Sequence, residues 1–129
     1  MRRGEIYLVD FGNRYQSNIG KTRPAVVLSA QSYLDVVEQM HYPSVLVLPL
    51  TSQCTHNPEN LLRVKVSRRE ALQQESEIIV NWSCSVDMEN IDRETGVLTA
   101  LEASEMTELQ YKFALYCGLS DADTTMQKG

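Results

Sequence analysis

Apolar and polar positions alternate along much of this chain, and the alternation predicts short strands. Gly4 to Phe11 (GEIYLVDF) sets Glu5, Tyr7, Val9 and Phe11 on one face and Ile6, Leu8 and Asp10 on the other. Apolar groups on both faces predict a strand that is mostly covered. Ala25 to Ser29 (AVVLS) is a second strand. Ser44 to Leu50 (SVLVLPL) is a third, apolar on both faces, and Pro49 marks an edge or a bulge in it. Leu61 to Val66 alternates clearly, with Leu62, Val64 and Val66 inward and Arg63 and Lys65 outward. Ser76 to Val86 (SEIIVNWSCSV) is another strand, bent at the polar Asn81.

Helical signals are fewer. Ser29 or Ser32 is a candidate cap for a short helix over SYLDVVEQM, ended by a turn around His41-Tyr42-Pro43. Ser67-Arg68-Arg69-Glu70 has capping-box spacing and predicts a short helix or turn. Thr99-Ala100-Leu101-Glu102 has the same spacing and predicts one longer helix over about residues 100–117. Met106, Leu109, Phe113 and Tyr116 form its apolar stripe, and Gly118 is its stop. Residues 12–24 and 51–60 are polar loops, and Pro24 biases Arg23 toward an extended backbone. Strands followed by a terminal helix predict a mainly β (α+β) fold, a small curved sheet or barrel closed by a helix rather than a doubly wound sheet. The expected organisation is one domain over residues 1–118 and a flexible polar tail over residues 119–129.

Composition adds limits. At 129 residues, with 43% hydrophobic and 22% charged, the chain has an ordinary globular composition. A formal net charge of −5 argues against a strongly basic nucleic-acid binder. The charge is uneven: residues 1–69 carry a net +4 and residues 70–129 a net −9. A local cationic groove around Arg14, Lys21 and Arg23 is therefore expected despite the acidic total. Cys54, Cys84 and Cys117 are widely spaced and contain no CxxC pair, so neither a disulfide framework nor a metal site is expected. No signal peptide is visible at Met1-Arg2-Arg3, and the run Val45 to Leu50 is far too short to span a bilayer. A cytosolic protein without a membrane partner is the expectation.

Two segments carry candidate chemistry. Loop 12–24 holds Arg14, Tyr15, Gln16, Asn18, Lys21 and Arg23, groups that grip phosphates and stack bases. A solvated hairpin tip is the plainer reading of that loop. Arg23 stands apart, because Pro24 and a strand follow at once and stiffen its backbone for bidentate phosphate contact. Thr51-Ser52-Gln53 places two hydroxyls and an amide at a strand end, where they can bind an oxyanion or simply begin a turn. His56 is a general acid or base if its loop folds back, and otherwise a surface histidine. Trp82 is core or a stacking platform, and Cys54 and Cys84 are buried or inert. No HExxH, GxSxG, P-loop or GxGxxG occurs, so metalloproteases, α/β-hydrolases, NTPases and dinucleotide enzymes gain no support.

Taken in order, three runs resemble the MazF/PemK/Kid toxins of toxin–antitoxin systems. They are Arg3-Gly4-Glu5-Ile6-Tyr7, Thr22-Arg23-Pro24-Ala25-Val26-Val27 and Pro49-Leu50-Thr51-Ser52. The resemblance spans about residues 3–118. It implies an SH3-like or CcdB-like barrel with a C-terminal helix, usually a homodimer. It also implies a growth-inhibiting, sequence-specific endoribonuclease that cuts single-stranded mRNA without metal or cofactor. The RNA 2′-OH would be the nucleophile, giving a 2′,3′-cyclic phosphate. An antitoxin with an acidic C-terminal segment is the implied protein partner.

By position, Arg23 and Thr51 match the family's arginine and threonine, and Ser52 adds a hydroxyl to the implied catalytic set. Arg14, Gln16, Asn18, Lys21, Gln53, His56 and Asn81 are the implied RNA contacts. Two stretches depart from the family pattern. Ser17-Asn18-Ile19 replaces a common Glu-Gln, and Asn81-Trp82-Ser83-Cys84 replaces a carboxylate followed by a cation. His56 or Asp87 are the available substitutes for the missing acid–base group. Two other readings stay open: a non-enzymatic gyrase poison of the CcdB type, and a toxin that binds antitoxin or RNA without cutting.

Overall fold

The structure, a computed structural model, describes residues 1–13 and 22–119. In chain order it contains β1 (Glu5–Asp10), β2 (Thr22–Val27), α1 (Gln31–Leu34), β3 (Ser44–Thr51) and β4 (Arg63–Val66). β5 (Ser76–Ile79), β6 (Cys84–Asp87), β7 (Thr99–Ala100) and α2 (Ala103–Cys117) follow. Short 3-10 turns cover Val37–Gln39, Val80–Trp82 and Met88–Asn90. The strands form one antiparallel sheet in the order β4-β5-β3-β2-β1-β7, with β6 also on β3.

β3 is the hub of this sheet. One edge pairs with β2, as in Ala25↔Pro49 and Val27↔Val47. The other edge pairs first with β6, up to Val47↔Cys84, and then with β5 from Leu50↔Ile78. Pro49 falls at the hand-over between those two partners, where the ladder is interrupted and a missing N–H is tolerated. The segment 76–86 is thus two strands, and the bend expected at Asn81 is the 3-10 turn Val80–Trp82.

Strands apolar on both faces have two cores to fill. Ile6, Val26, Leu48 and Leu50 face one cluster, which Leu109 of α2 completes. Tyr7, Val9, Ala25, Val27, Val45 and Val47 face the second, covered by Leu34 and Val37. Burying each such side chain contributes about 1.5–3 kcal/mol, so these strands are stabilised from both sides. The result is the expected mainly β architecture, a curled half-barrel with a C-terminal helix.

Several boundaries differ from the sequence expectation. β2 begins at Thr22, so Arg23 and Pro24 belong to a strand and not to a loop, opposite Val9 and Leu8. Neither Ser29 nor Ser32 caps α1: its N-cap is Ala30 with no side-chain bond, and Ser29 Oγ instead accepts from Leu46 N at 2.8 Å. Ser67–Glu70 forms no helix. Of the two expected alternatives the turn forms, with Arg69 paired to Leu72 and Glu70 at a φ of +51°.

Thr99 is not a cap either, because it pairs with Ile6 in β7 and its hydroxyl donates to Glu70 at 2.6 Å. α2 therefore starts later, capped by Glu102 with Glu105 reaching back to complete the capping box. Leu109, Lys112 and Leu115 are its buried positions, while Tyr116 is 43% exposed rather than part of the stripe. Gly118 ends the helix in the left-handed conformation, as expected. Residues 120–129 of the expected tail lie outside the described residues.

The turn after β4 joins the two ends of the curled sheet. Ala71 N donates to Leu98 O at 3.1 Å, and Arg69 Nη2 donates to Ala100 O at 2.9 Å. Arg69 also forms a two-pronged ion pair with Glu105 at the start of α2. The bond to Glu105, opposed by burial, holds the Arg69 guanidinium above its usual range. This turn later supplies part of the cleft wall.

Candidate active site

Arg23 and Thr51 sit on neighbouring strands. The Ala25↔Pro49 register carries Arg23 toward the end of β3, where Arg23 Nη1 donates to Leu50 O at 3.4 Å. Both residues line one cleft of about 680 Å³, together with Ser52 and Gln53. Leu8, Pro24, Leu50, Leu72 and Leu98 give it an apolar lining. Thr51 Oγ1 accepts from Gln53 N at 3.1 Å, which folds the chain into a tight turn just after β3. Because the oxygen accepts there, the hydroxyl proton remains available to a ligand.

A guanidinium and two hydroxyls converging on one cleft can hold an anion such as a phosphate. The cleft also receives Gln73, Gln74, Ser76 and Thr95, which no sequence motif singled out. They arrive through the turn at Arg69–Leu72 and the approach to β7, and local spacing carries no signal for such meetings. Their amides and hydroxyls suit base edges, which present donors and acceptors without charge.

The other expected site residues are placed as follows. His56 lies off the main cleft, in an adjoining depression that shares Ser52, Gln73 and Gln74 with it. Asn81 is exposed in the 3-10 turn after β5; its carbonyl accepts from Tyr116 OH at 3.5 Å, and it does not line the cleft. Asp87 is paired with Ser44 at the far end of β6 and does not line the cleft. Arg14, Gln16, Asn18 and Lys21 lie outside the described residues. Trp82 is half-buried beside α2. Cys54 and Cys84 are half-buried and Cys117 is exposed, and none of the three forms a disulfide. Burial first, then the Glu77 and Glu75 carboxylates, pushes the Cys54 thiol up.

A second constellation borders the cleft and was not foreseen. Glu77 of β5 is only 4% exposed. Its carboxylate accepts from Thr55 N at 2.9 Å, His56 N at 3.1 Å and Arg63 Nη1 at 3.0 Å, and from Thr55 Oγ1. Burial alone raises its pKa, but these bonds together outweigh burial and hold the carboxyl below the usual range. Nearby, the buried Lys112 donates to Asn60 O at 2.9 Å, Arg63 O at 2.8 Å and Glu108 at 3.3 Å, which uses all three ammonium protons. A charged residue within an otherwise apolar strand, SEIIV, was the available sequence signal. Among the described residues no group of His, Cys, Asp or Glu is placed to hold a metal, and no helix is long and apolar enough to cross a membrane.

The profile of the PemK-like, MazF-like toxins of type II toxin–antitoxin systems matches residues 2–116. The chain belongs to this family, whose members are endoribonucleases, and is a toxin of a type II system. Among curated proteins none matches the chain. The Mycobacterium tuberculosis toxin MazF-mt6 is similar in structure, with 19% identity, a TM-score of 0.62, and coverage of 85% of this chain and 92% of that one. A mycobacterial endoribonuclease in complex with its cognate antitoxin is similar at 17% identity and a TM-score of 0.65, over 92% and 95% of the two chains. A MazE–MazF structure from Deinococcus radiodurans is similar at 20% identity and a TM-score of 0.64, again over 92% and 95%. At such identities these likenesses carry the fold.

Proposed function

We propose that the protein is a metal-independent, sequence-specific endoribonuclease that cuts single-stranded mRNA. The observation that carries this reading is the convergence of Arg23 and Thr51-Ser52, from two different strands, on one cleft. Attack of the RNA 2′-OH on the adjacent phosphorus forms a new P–O bond as the 2′-oxygen gives up its proton, and expels the 5′-oxygen of the next nucleotide, which takes up a proton. The products are a 2′,3′-cyclic phosphate and a 5′-hydroxyl. Negative charge gathers on the non-bridging oxygens during this step. The Arg23 guanidinium and the Thr51 and Ser52 hydroxyls are the donors offered to it. The neutral amides of Gln53, Gln73 and Gln74 line the same cleft, which supports base-edge reading over simple phosphate gripping.

The toxin acts in the cytoplasm, where its mRNA substrate lies, and arrests growth by destroying it. It works as a homodimer and is neutralised by an antitoxin whose acidic C-terminal segment occupies the RNA cleft. One structural relative is an endoribonuclease in complex with its cognate antitoxin and another is a MazE–MazF structure, which supports this partner. An acidic peptide satisfies Arg23 as a phosphate does.

The test is incubation of purified protein with long unstructured RNAs in EDTA. Wild type cuts, and Arg23→Ala loses about 10²-fold or more in rate, the usual effect of removing a charge-stabilising donor. If wild type binds RNA or antitoxin but leaves every RNA intact, the toxin acts by binding and the nuclease reading fails. Intact mRNA together with trapped gyrase–DNA complexes in cells identifies a gyrase poison instead.

A further inference from the structure

The loop that follows β3 carries Ser52 and Gln53 into the cleft, and a single buried carboxylate holds its far side. Glu77 pairs opposite Thr51 in the β3–β5 ladder, so it is anchored to the strand that presents the threonine. From there it reaches across to Thr55 and His56 with both oxygens. The same carboxylate fixes Arg63, whose Nη1 also donates to Gln53 O at 3.3 Å. Gln53 and Thr55–His56 are thus tied to one charge. His56 adds an independent sign of constraint, because it takes a φ of +56° without being glycine. Such a backbone is uncommon outside glycine and is kept here by the bonds around it.

We propose that Glu77 is a positioning residue: with Arg63 it clamps loop 52–60 so that Ser52 and Gln53 are presented to the RNA in the cleft. This rests on the ribonuclease reading for its consequence, but the clamp itself is measurable without activity. Glu77 does not itself line the cleft, so it acts through the loop it holds. A preorganised loop spends no binding energy on ordering Ser52 when the transition state forms, so the clamp favours kcat over KM.

The experiment is amide hydrogen exchange on the full chain, alongside steady-state RNA cutting. In Glu77→Gln, the Thr55 and His56 amides exchange roughly 10-fold faster or more, the equivalent of one lost charge-assisted hydrogen bond. Amides in β1, β2 and the centre of β3 keep their wild-type rates. kcat falls about 10-fold while KM changes less than 3-fold. Thr55→Val is the second variant; it removes a loop-side donor at an exposed position, leaves the buried carboxylate in place, and speeds the same amides. Unchanged exchange at Thr55 and His56 in both variants overturns the clamp. So does equal acceleration across the core amides, which marks a purely structural residue. If the loop amides loosen but kcat is untouched, the loop does not position catalytic groups and the proposal fails. If wild type cuts no RNA, the ribonuclease reading fails, and the clamp is decided by exchange alone.

Discussion

Arg23 donates to the carbonyl of Leu50, the residue immediately before Thr51. One arm of the guanidinium is thereby tied to the backbone that presents the threonine, which couples the positions of the two groups on different strands. The second donor in this arrangement is the Thr51 hydroxyl, whose oxygen is already used by Gln53 N. Its remaining function is to donate its proton.

That division of labour predicts opposite outcomes for two small changes. Thr51→Val keeps the shape and removes the hydroxyl; RNA cutting falls by about 10²-fold, as for one oxyanion donor. Thr51→Ser keeps the hydroxyl and stays within about 5-fold of wild type, a small cost set by the extra rotamer freedom of serine. Both are measured as initial rates on one RNA, with a thermal melt to confirm folding. If Thr51→Ser is as poor as Thr51→Val, the hydroxyl is not the active feature.

Gly4 lies in the Arg-Gly-Glu-Ile-Tyr run and adopts a φ of +94°. Its N–H donates to Val27 O at 2.8 Å and its carbonyl accepts from Leu101 N at 2.9 Å, so it is pinned between the end of β2 and the lead-in to α2. A Cβ there would stand 2.9 Å from Met106 Cε. That methyl is the end of a flexible side chain and can move, so backbone strain is the larger penalty. Gly4→Ala is expected to destabilise by about 2 kcal/mol in urea unfolding. Gly4→Asn, which tolerates positive φ better, should lose less than Gly4→Ala despite its greater size. The reverse ranking would show that contact with Met106 dominates.

How far the sequence led can be judged from particular residues. The two-sided apolar strands were legible because each has its own core on each face, and that pattern is local. The start of β2 was not, since Thr22 and Arg23 are polar and enter the strand only because β1 pairs with them. Thr99 misled for a related reason: its hydroxyl fits a helix cap, but Ile6 and Glu70 compete for the residue and win. Within the site, Arg23, Thr51 and Ser52 stood out because each adjoins a proline or ends a strand. Glu77 did not, because its partner Thr55 is 22 residues away and is reached only through the β3–β5 register. Gln73 and Gln74 were hidden in the same way.

Glu77 also makes an acid-stability prediction separate from its effect on the loop. Its folded pKa lies below the ordinary value of 4.5, because its hydrogen bonds outweigh the opposing effect of burial. A depressed carboxyl contributes stability that is present above the unfolded pKa and is lost as pH falls through the folded one. Wild type should therefore exceed Glu77→Gln in unfolding free energy by about 2 kcal/mol near pH 7, the scale of hydrogen bonds to a buried charge. As pH drops below about 4.5 the gap narrows, since a protonated Glu77 offers Thr55, His56 and Arg63 little more than the amide does. Other carboxylates titrate in both proteins alike, so the difference between the two unfolding curves isolates this one. Urea unfolding of both at intervals from about pH 7 to about pH 3 reads it directly. A gap that stays constant over that range would falsify the assignment of this stability to the ionised carboxylate.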